Sequence, residues 1–178
     1  MTREAIATMA SECYITNNLV YNDQVSATYQ GLDTSTGKVV MLHTFASGIK
    51  GHPAYEQWLE QFLQVGNEVK QIKHPHLVKV LGCLTKDHKP YLISENPIGL
   101  TLDRYLSQHG KPLPVEQALL YIQQIAKAVE ALHRHNLYHQ NLHPAHIYLL
   151  PLKQKAYVGH FGWQFHVTPG LSRLFPIF

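Results

Sequence analysis

The chain is unusually rich in histidine, a residue type that binds metal ions and transfers protons. Thirteen of its 178 residues are histidines, and three of them fall in the stretch LYHQNLHPAHIYLL at residues 137–150. Imidazole nitrogens suit Zn²⁺, Cu²⁺ or Ni²⁺. The two cysteines, Cys13 and Cys83, give neither metal-type spacing nor a disulfide framework. Any metal chemistry would therefore depend on the histidines.

The composition is that of a folded protein that does not bind nucleic acid. Hydrophobic residues make up 45% of the chain and charged residues 15%, and the net charge of +3 is spread along it. The first twelve residues carry acidic side chains and no apolar core, so they do not resemble a signal peptide. No window has the roughly 18 apolar residues of a membrane-spanning helix. We therefore expect a cytoplasmic protein without a transmembrane segment.

The first half of the chain predicts strands with one helix among them. Short β-favouring runs occur at CYITNNLVYND, VSATYQGL and VVMLHTF, and LVKVLGCL and PYLISE predict two more. Between the third and fourth runs, apolar residues from Tyr55 to Ile72 recur at helical spacing, with Pro53 placed where a helix can begin. The expected order is therefore three strands, a helix and two strands.

The second half predicts helices followed by two short strands. Thr101 can cap a helix over LDRYLSQH that ends at Gly110. The strongest helix follows, with an apolar stripe that Tyr121 and Ala128 widen. The stripe comprises Val115, Leu119, Ile122, Ile125, Ala126, Val129 and Leu132. HIYLL and KAYVGHF predict the strands.

This order of elements, with its local phrases, resembles a Hanks-type protein kinase of the bacterial Ser/Thr branch. HPHLVKVLG is similar to the family phrase HPNIVxLxG, LYHQNLHPAHIYLL to the catalytic loop HRDLKPxNILL, and YVGHFG to the segment that ends in DFG. The resemblance spans residues 14–164. It implies an α+β fold with a five-stranded amino-terminal lobe at 1–96, which contains one helix, and a truncated helical carboxy-terminal lobe at 97–178.

The resemblance also assigns the positions that would carry catalysis, and their residues have changed. In the family, the loop Asp accepts the substrate proton, and the loop Asn and the DFG Asp bind Mg²⁺. Those positions are Asn141, His146 and His160 here, and the phosphate-pairing Lys is His43. An amide cannot accept a proton at neutral pH. We therefore expect a pseudokinase with no catalytic residue.

The nucleotide-binding positions have changed in the same way. The three glycines of the phosphate loop correspond to Tyr21, Asp23 and Ser26, whose side chains block close approach of the backbone to phosphates. With Ser94 as gatekeeper, the adenine-binding N–H falls on Pro97, and proline has no N–H. We therefore expect no bound cofactor.

The histidines leave an alternative open. By family geometry, His146 and His160 face one another, with His143 and His43 nearby, so a transition-metal site is possible. The other interpretation is that they are neutral polar fillers that bond to the backbone. We expect these histidines to be such neutral fillers and to bind no metal ion.

Three functions from different classes remain. The leading one is a catalytically inactive scaffold or assembly subunit that binds another protein, with a homo-oligomer as a further possibility. The others are an atypical nucleotide-binding kinase-like enzyme and a histidine-lined metal-binding module. Because the kinase helices that would cover the stripe do not follow in this sequence, we expect an apolar interface there. Its residues are Leu119, Ile122, Leu174, Phe175 and Ile177.

Overall fold

A computed structural model describes residues 13–167, except for the side chains at positions 164 and 165. The described chain forms two units. Unit 1 contains residues 13–70, Val80–Asn96 and 163–167, and unit 2 contains Gln71–Lys79 and Pro97–Gly162. The lobes predicted from the sequence were 1–96 and 97–178. In the structure, 163–167 group with unit 1 and 71–79 with unit 2, where the Val78 N–H donates to the Val158 carbonyl at 2.8 Å.

Unit 1 is built on an antiparallel sheet of five strands in the order β1-β2-β3-β5-β4. The strands are β1 (Tyr14–Asn22), β2 (Ser26–Asp33), β3 (Lys38–Phe45), β4 (Val80–Lys86) and β5 (Lys89–Glu95). The β2–β3 hairpin closes at Asp33 and Lys38, which places Thr28 opposite His43. Val40, Leu42, Leu84 and Ile93 form a buried cluster within the sheet. The five predicted strands are confirmed.

One helix, α1 (Tyr55–Gln71), is inserted between β3 and β4, as predicted. It buries Tyr55, Trp58, Phe62, Gly66 and Val69, which recur at helical spacing. A Cβ at Gly66 would lie 3.1 Å from atoms of both Cys83 and Leu92. The glycine that weakens the helix intrinsically therefore allows the helix to approach β4 and β5 closely.

A short helix at the end of the described residues adds to the core of unit 1. The helix α4 (Trp163–Val167) buries Trp163 and Val167, which are 4% and 0% exposed. The Trp163 ring packs edge-on against Phe45 of β3 at 5.2 Å and against Phe62 of α1 at 4.5 Å between centroids. These contacts explain why the segment belongs to unit 1.

Unit 2 combines two helices with a small antiparallel sheet in the order β6-β7-β8. Its elements are β6 (Leu100–Thr101), α2 (Leu102–His109), α3 (Val115–His133), β7 (Ile147–Leu150) and β8 (Lys155–Val158). Helix α2 ends at Gly110, which adopts a left-handed conformation with φ of 59°. Thr101 occupies the N-cap position, but its side chain makes no capping hydrogen bond. Within residues 13–167, no helix is long and apolar enough to cross a bilayer.

Helix α3 buries one edge of the predicted stripe rather than its centre. Tyr121, Ala128 and Leu132 are buried, and Tyr121 packs with Ile147, Leu149 and Ala156. The Gln124 side chain orients this face, because its Oε1 accepts from the Ala156 N–H at 2.6 Å.

The predicted stripe is exposed over the first half of α3. Val115, Leu119 and Ile122 are 74%, 54% and 61% exposed. Leu119 and Ile122 are two of the residues expected at an interface. The other three, Leu174, Phe175 and Ile177, lie outside the described residues.

Candidate functional site

The residue at the phosphate-pairing position, His43, is buried in the sheet of unit 1. Its ring is 7% exposed, and its Nδ1 and Nε2 each lie 3.1 Å from a hydroxyl oxygen, those of Thr28 and Ser94. The Ser94 hydroxyl also donates to the Glu95 carbonyl at 3.3 Å. His43 thus connects three adjacent strands.

The loop between β1 and β2 is closed by the Asp23 side chain. Asp23 Oδ1 accepts from the Val25 and Ser26 N–H groups at 2.7 and 2.6 Å. Its Oδ2 accepts from the hydroxyls of Tyr21 and Ser26 at 2.8 and 3.0 Å. Burial, followed by this bond and the charge of Asp23, raises the pKa of Tyr21 to about 12. The carboxylate therefore takes up backbone N–H groups of the kind that a phosphate loop offers to its ligand.

The segment after β5 contains Pro97, a half-buried residue without a backbone N–H. Gly99 follows with φ of 110°, and a Cβ there would meet the Leu149 carbonyl oxygen. This close approach within unit 2 requires glycine and sets the path of the segment into β6.

In unit 2, His139 anchors the candidate catalytic loop. Its ring is 4% exposed, and its Nε2 donates to the Gly159 carbonyl at 2.9 Å. Its Nδ1 accepts from the Asn141 N–H at 3.3 Å. Burial is the main cause that lowers the pKa of His139 to about 4; the hydrogen bond to Gly159 opposes this shift and the charge of His146 adds to it. His139 is therefore a neutral structural residue at pH 7.

Asn141, at the position of the catalytic base, bonds to the backbone of the same unit. Its Nδ2 donates to the His160 carbonyl at 3.2 Å. The side chain is an amide, which has no basic group at neutral pH. This arrangement joins the loop to the segment after β8 and supplies no proton acceptor.

His146 and His160, at the two metal-ligand positions, stack on one another. Their ring centroids are 4.7 Å apart and the rings are inclined by 27°. His146 Nδ1 donates to the Asn141 carbonyl at 2.8 Å, and His160 Nε2 lies 2.8 Å from the Tyr148 hydroxyl. Burial is the main cause that lowers the pKa of His146, so its ring is neutral at pH 7.

The backbone at His160 is in a left-handed conformation, with φ of 51°. Such a conformation costs energy for a residue with a side chain and is often found at functional sites. Gln140, in the loop itself, has φ of 55°. The candidate catalytic loop and the segment after β8 therefore each contain one residue in this strained conformation.

The remaining histidine of the loop, His143, has a local structural role. Its Nδ1 accepts from the Ala145 N–H at 3.2 Å and caps the short 3₁₀ turn Pro144–His146. Its ring centroid is 5.9 Å from that of His146. Stacked rings with nearly parallel planes do not direct their in-plane nitrogens toward one ion. Within residues 13–167, no three His, Cys, Asp or Glu side chains are grouped so that they could hold a metal.

The structure groups six of the predicted positions in two places, whereas His43 lies within the sheet of unit 1 and Pro97 in the segment after β5. Tyr21, Asp23 and Ser26 share one loop of unit 1, and Asn141, His146 and His160 share one network of unit 2. The sequence analysis did not identify the partners of the histidines. Thr28 follows from the register of the β2–β3 hairpin, whereas Tyr148 had no sequence signal.

Comparison with known proteins identifies the family. The family model described as protein tyrosine and serine/threonine kinase matches residues 25–169. The crystal structure of the Mycobacterium tuberculosis PknI kinase domain superposes with a TM-score of 0.66 at 16% identity, over 84% of this chain and 60% of that chain. This likeness supports the fold alone.

Curated relatives match over short parts of their length. Serine/threonine-protein kinase ULK3 of Rattus norvegicus is 33% identical over 102 residues, which are 57% of this chain and 21% of the relative. Serine/threonine-protein kinase TAO3 of Xenopus laevis is 27% identical over 123 residues, which are 69% of this chain and 13% of the relative. Because the family model matches most of the chain, in the order of elements described above, the chain belongs to the protein tyrosine and serine/threonine kinase family.

Proposed function

We propose that this kinase-family chain does not transfer phosphate and acts as a protein-binding or scaffold module. The observation that carries the proposal is the network of the candidate catalytic loop. Asn141, His146 and His160 stand where the base and the metal ligands are expected, and each is hydrogen-bonded within unit 2. Phosphoryl transfer depends on metal ions that neutralise charge and on a positioned nucleophile, and these side chains supply neither.

The donor chemistry of the loop argues against magnesium. Mg²⁺ prefers oxygen ligands in octahedral geometry, whereas the two metal positions are occupied by imidazole rings. Both rings present one nitrogen to a neighbouring oxygen within unit 2. A metal-bridged triphosphate therefore lacks the ligands that would hold it at this unit.

The β1–β2 loop supports the same proposal independently. A triphosphate near this loop would meet the Asp23 carboxylate, which repels it. The Val25 and Ser26 N–H groups already donate to that carboxylate at 2.7 and 2.6 Å. Binding would therefore require the loss of two charge-assisted hydrogen bonds, each worth about 1.5–3 kcal/mol.

A phosphoryl-transfer assay tests the proposal. The purified chain would be incubated with γ-labelled ATP and Mg²⁺ or Mn²⁺, alone and with a generic protein substrate, beside a serine/threonine kinase as positive control. We expect no incorporation above the background without protein. Label that increases in proportion to the chain and disappears in the Asn141→Ala and His160→Ala variants would contradict the proposal, because it would locate activity in this loop.

A further inference from the structure

A pocket of about 280 Å³ lies in unit 1, beside the turn that joins β4 to β5. Three lysines line it, Lys50 from the segment after β3, Lys86 from β4 and Lys89 from β5, together with the carboxylate of Asp87. Within residues 13–167, none of these lysines forms an ion pair with a carboxylate. The lining therefore carries an excess of positive charge.

Aromatic side chains form one wall of the pocket. Phe45, Tyr55 and Tyr91 line it. The Tyr55 hydroxyl donates to the His88 carbonyl at 2.8 Å, which ties the first turn of α1 to the β4–β5 turn. Phe45 is 1% exposed and packs against the Tyr55 ring at 5.7 Å between centroids. The wall is thus part of the unit 1 core and is held from two sides.

Lys89 lies over two aromatic rings, that of Tyr91 in this wall and that of Tyr29 in β2. Its Nζ lies 5.6 Å from the centroid of the Tyr29 ring and 5.8 Å from that of Tyr91, within the distance of cation–π attraction. Burial, and then the positive charge of Lys50, lower the pKa of Lys89. An anion between the two ammonium groups would relieve that repulsion, so the pocket favours a negatively charged ligand.

We propose that this pocket binds a phosphorylated side chain of a partner peptide. The volume of about 280 Å³ is just below the roughly 300–1,000 Å³ of small-molecule sites, so it suits one side chain rather than a nucleotide. Lysines bind phosphate as point charges, and the aromatic wall would cover the apolar part of the peptide. Helix α1 begins at Tyr55, and its N-terminal dipole adds to the attraction.

The proposal rests on the protein-binding part of the proposed function and deepens it by naming the chemistry of the partner. It uses none of the residues of the β1–β2 loop or of the catalytic loop. A failed peptide titration would therefore refute the proposed phosphopeptide site without affecting the proposal that the chain does not transfer phosphate. Incorporation of label in the transfer assay would contradict the proposal that the chain does not transfer phosphate, and it would not affect the proposed phosphopeptide site.

The test is a calorimetric or NMR titration with three probes. They are a blocked Gly-phosphoserine-Gly tripeptide, the same tripeptide without phosphate, and inorganic phosphate. The variants are Lys89→Gln and Lys50→Gln, and Lys38→Gln serves as a matched control, since Lys38 is an exposed lysine of the same sheet outside the pocket. Lys50 is also exposed, so its variant is expected to fold even if the Lys89 variant does not.

We expect saturable binding of the phosphopeptide, at least about fivefold tighter than inorganic phosphate, and none of the unmodified peptide. Loss of one charge-assisted contact should weaken binding by about tenfold in each pocket variant, while Lys38→Gln changes it by less than about twofold. Equal weakening by Lys38→Gln would mean that general positive charge attracts the peptide, and the proposal would fail. Equal affinity for inorganic phosphate would exclude a peptide ligand, and absence of binding would exclude the site.

Discussion

Asp23, His43, Asn141 and His146 all make their polar contacts to neighbours in their own unit. Asp23 accepts two backbone N–H groups, His43 lies between two hydroxyls, and Asn141 donates to a backbone carbonyl. Within residues 13–167, no buried side-chain nitrogen or oxygen lacks a hydrogen-bond partner. These residues of the candidate site therefore have structural contacts, and their removal should change stability.

Asp23 offers a first test of this structural role. Asp23→Ala removes four hydrogen bonds, and because some donors regain water in the open loop, we expect a loss of about 1–2 kcal/mol in the free energy of unfolding. The pKa of Tyr21, now about 12, should fall toward its ordinary value. Urea denaturation and an NMR titration of labelled tyrosine measure both effects. Tyr21→Phe removes only one of the bonds and should cost less; an unchanged stability in both variants would refute the role.

His139 predicts a dependence of stability on pH. Its pKa of about 4 in the folded chain lies below the ordinary value of 6.5, so the unfolded chain binds the proton more readily. The stabilisation is present above pH 6.5 and is lost as the pH falls toward 4. The shift corresponds to about 3 kcal/mol.

Urea denaturation between pH 7 and 4.5 measures this dependence. The lowered pKa values of His74 and His146 act in the same direction, so other residues contribute as well. His139→Gln keeps a donor and an acceptor but cannot be protonated in this range, and it should flatten the curve. A variant with the slope of the parent chain would show that His139 does not cause it.

Among the elements, the short helix α4 depends most on packing. The ring of Trp163 contacts Phe45 of β3 and Phe62 of α1, so it fills space that neither element fills alone. A five-residue helix has little intrinsic stability. Its place in unit 1 therefore comes from the tryptophan.

Trp163→Ala should lower the free energy of unfolding by about 3–5 kcal/mol, because it leaves a cavity in a buried aromatic cluster. Leu152→Ala is the matched control, since Leu152 is fully exposed and should change stability by less than about 0.5 kcal/mol. Chemical denaturation followed by fluorescence of the remaining Trp58 measures both variants. Equal stability of the two variants would show that α4 does not contribute to the core.

The strands and α1 could be predicted because each carries a local periodicity, alternating or helical, that survives in the structure. Which edge of the apolar stripe α3 buries could not be predicted. The apolar residues of α3 cover more than half of the helix surface, so the sequence pattern does not select one orientation. The orientation depends on Tyr121, which packs against Ile147, Leu149 and Ala156, and on Gln124, which accepts from the Ala156 N–H. These partners lie far along the chain. The positions of Asn141, His146 and His160 came from the family phrases, whereas the stacking of the two rings depends on tertiary geometry.

At the scale of the whole molecule, the exposed residues of α3 predict a binding surface. Leu119 and Ile122 are 54% and 61% exposed, so Leu119→Ser with Ile122→Ser should change the free energy of unfolding by less than about 0.5 kcal/mol. In a pull-down from an extract of the source cell, we expect the double variant not to bind proteins that the parent chain binds. Leu132→Ser, at a buried position of the same helix, should instead destabilise the fold. Recovery of an unchanged set of proteins by the double variant would exclude this surface.

The most direct test of the central claim is a calorimetric titration of the chain with ATP and Mg²⁺. The positions predicted from the family resemblance for phosphate, metal and adenine contacts are Tyr21, Asp23, Ser26, His43, Pro97, His146 and His160, none of which has the residue type that the family uses there. We therefore predict no saturable heat at millimolar nucleotide, with either ATP or ADP. A saturable isotherm with one site per chain, weakened by His43→Ala or His160→Ala, would contradict the account.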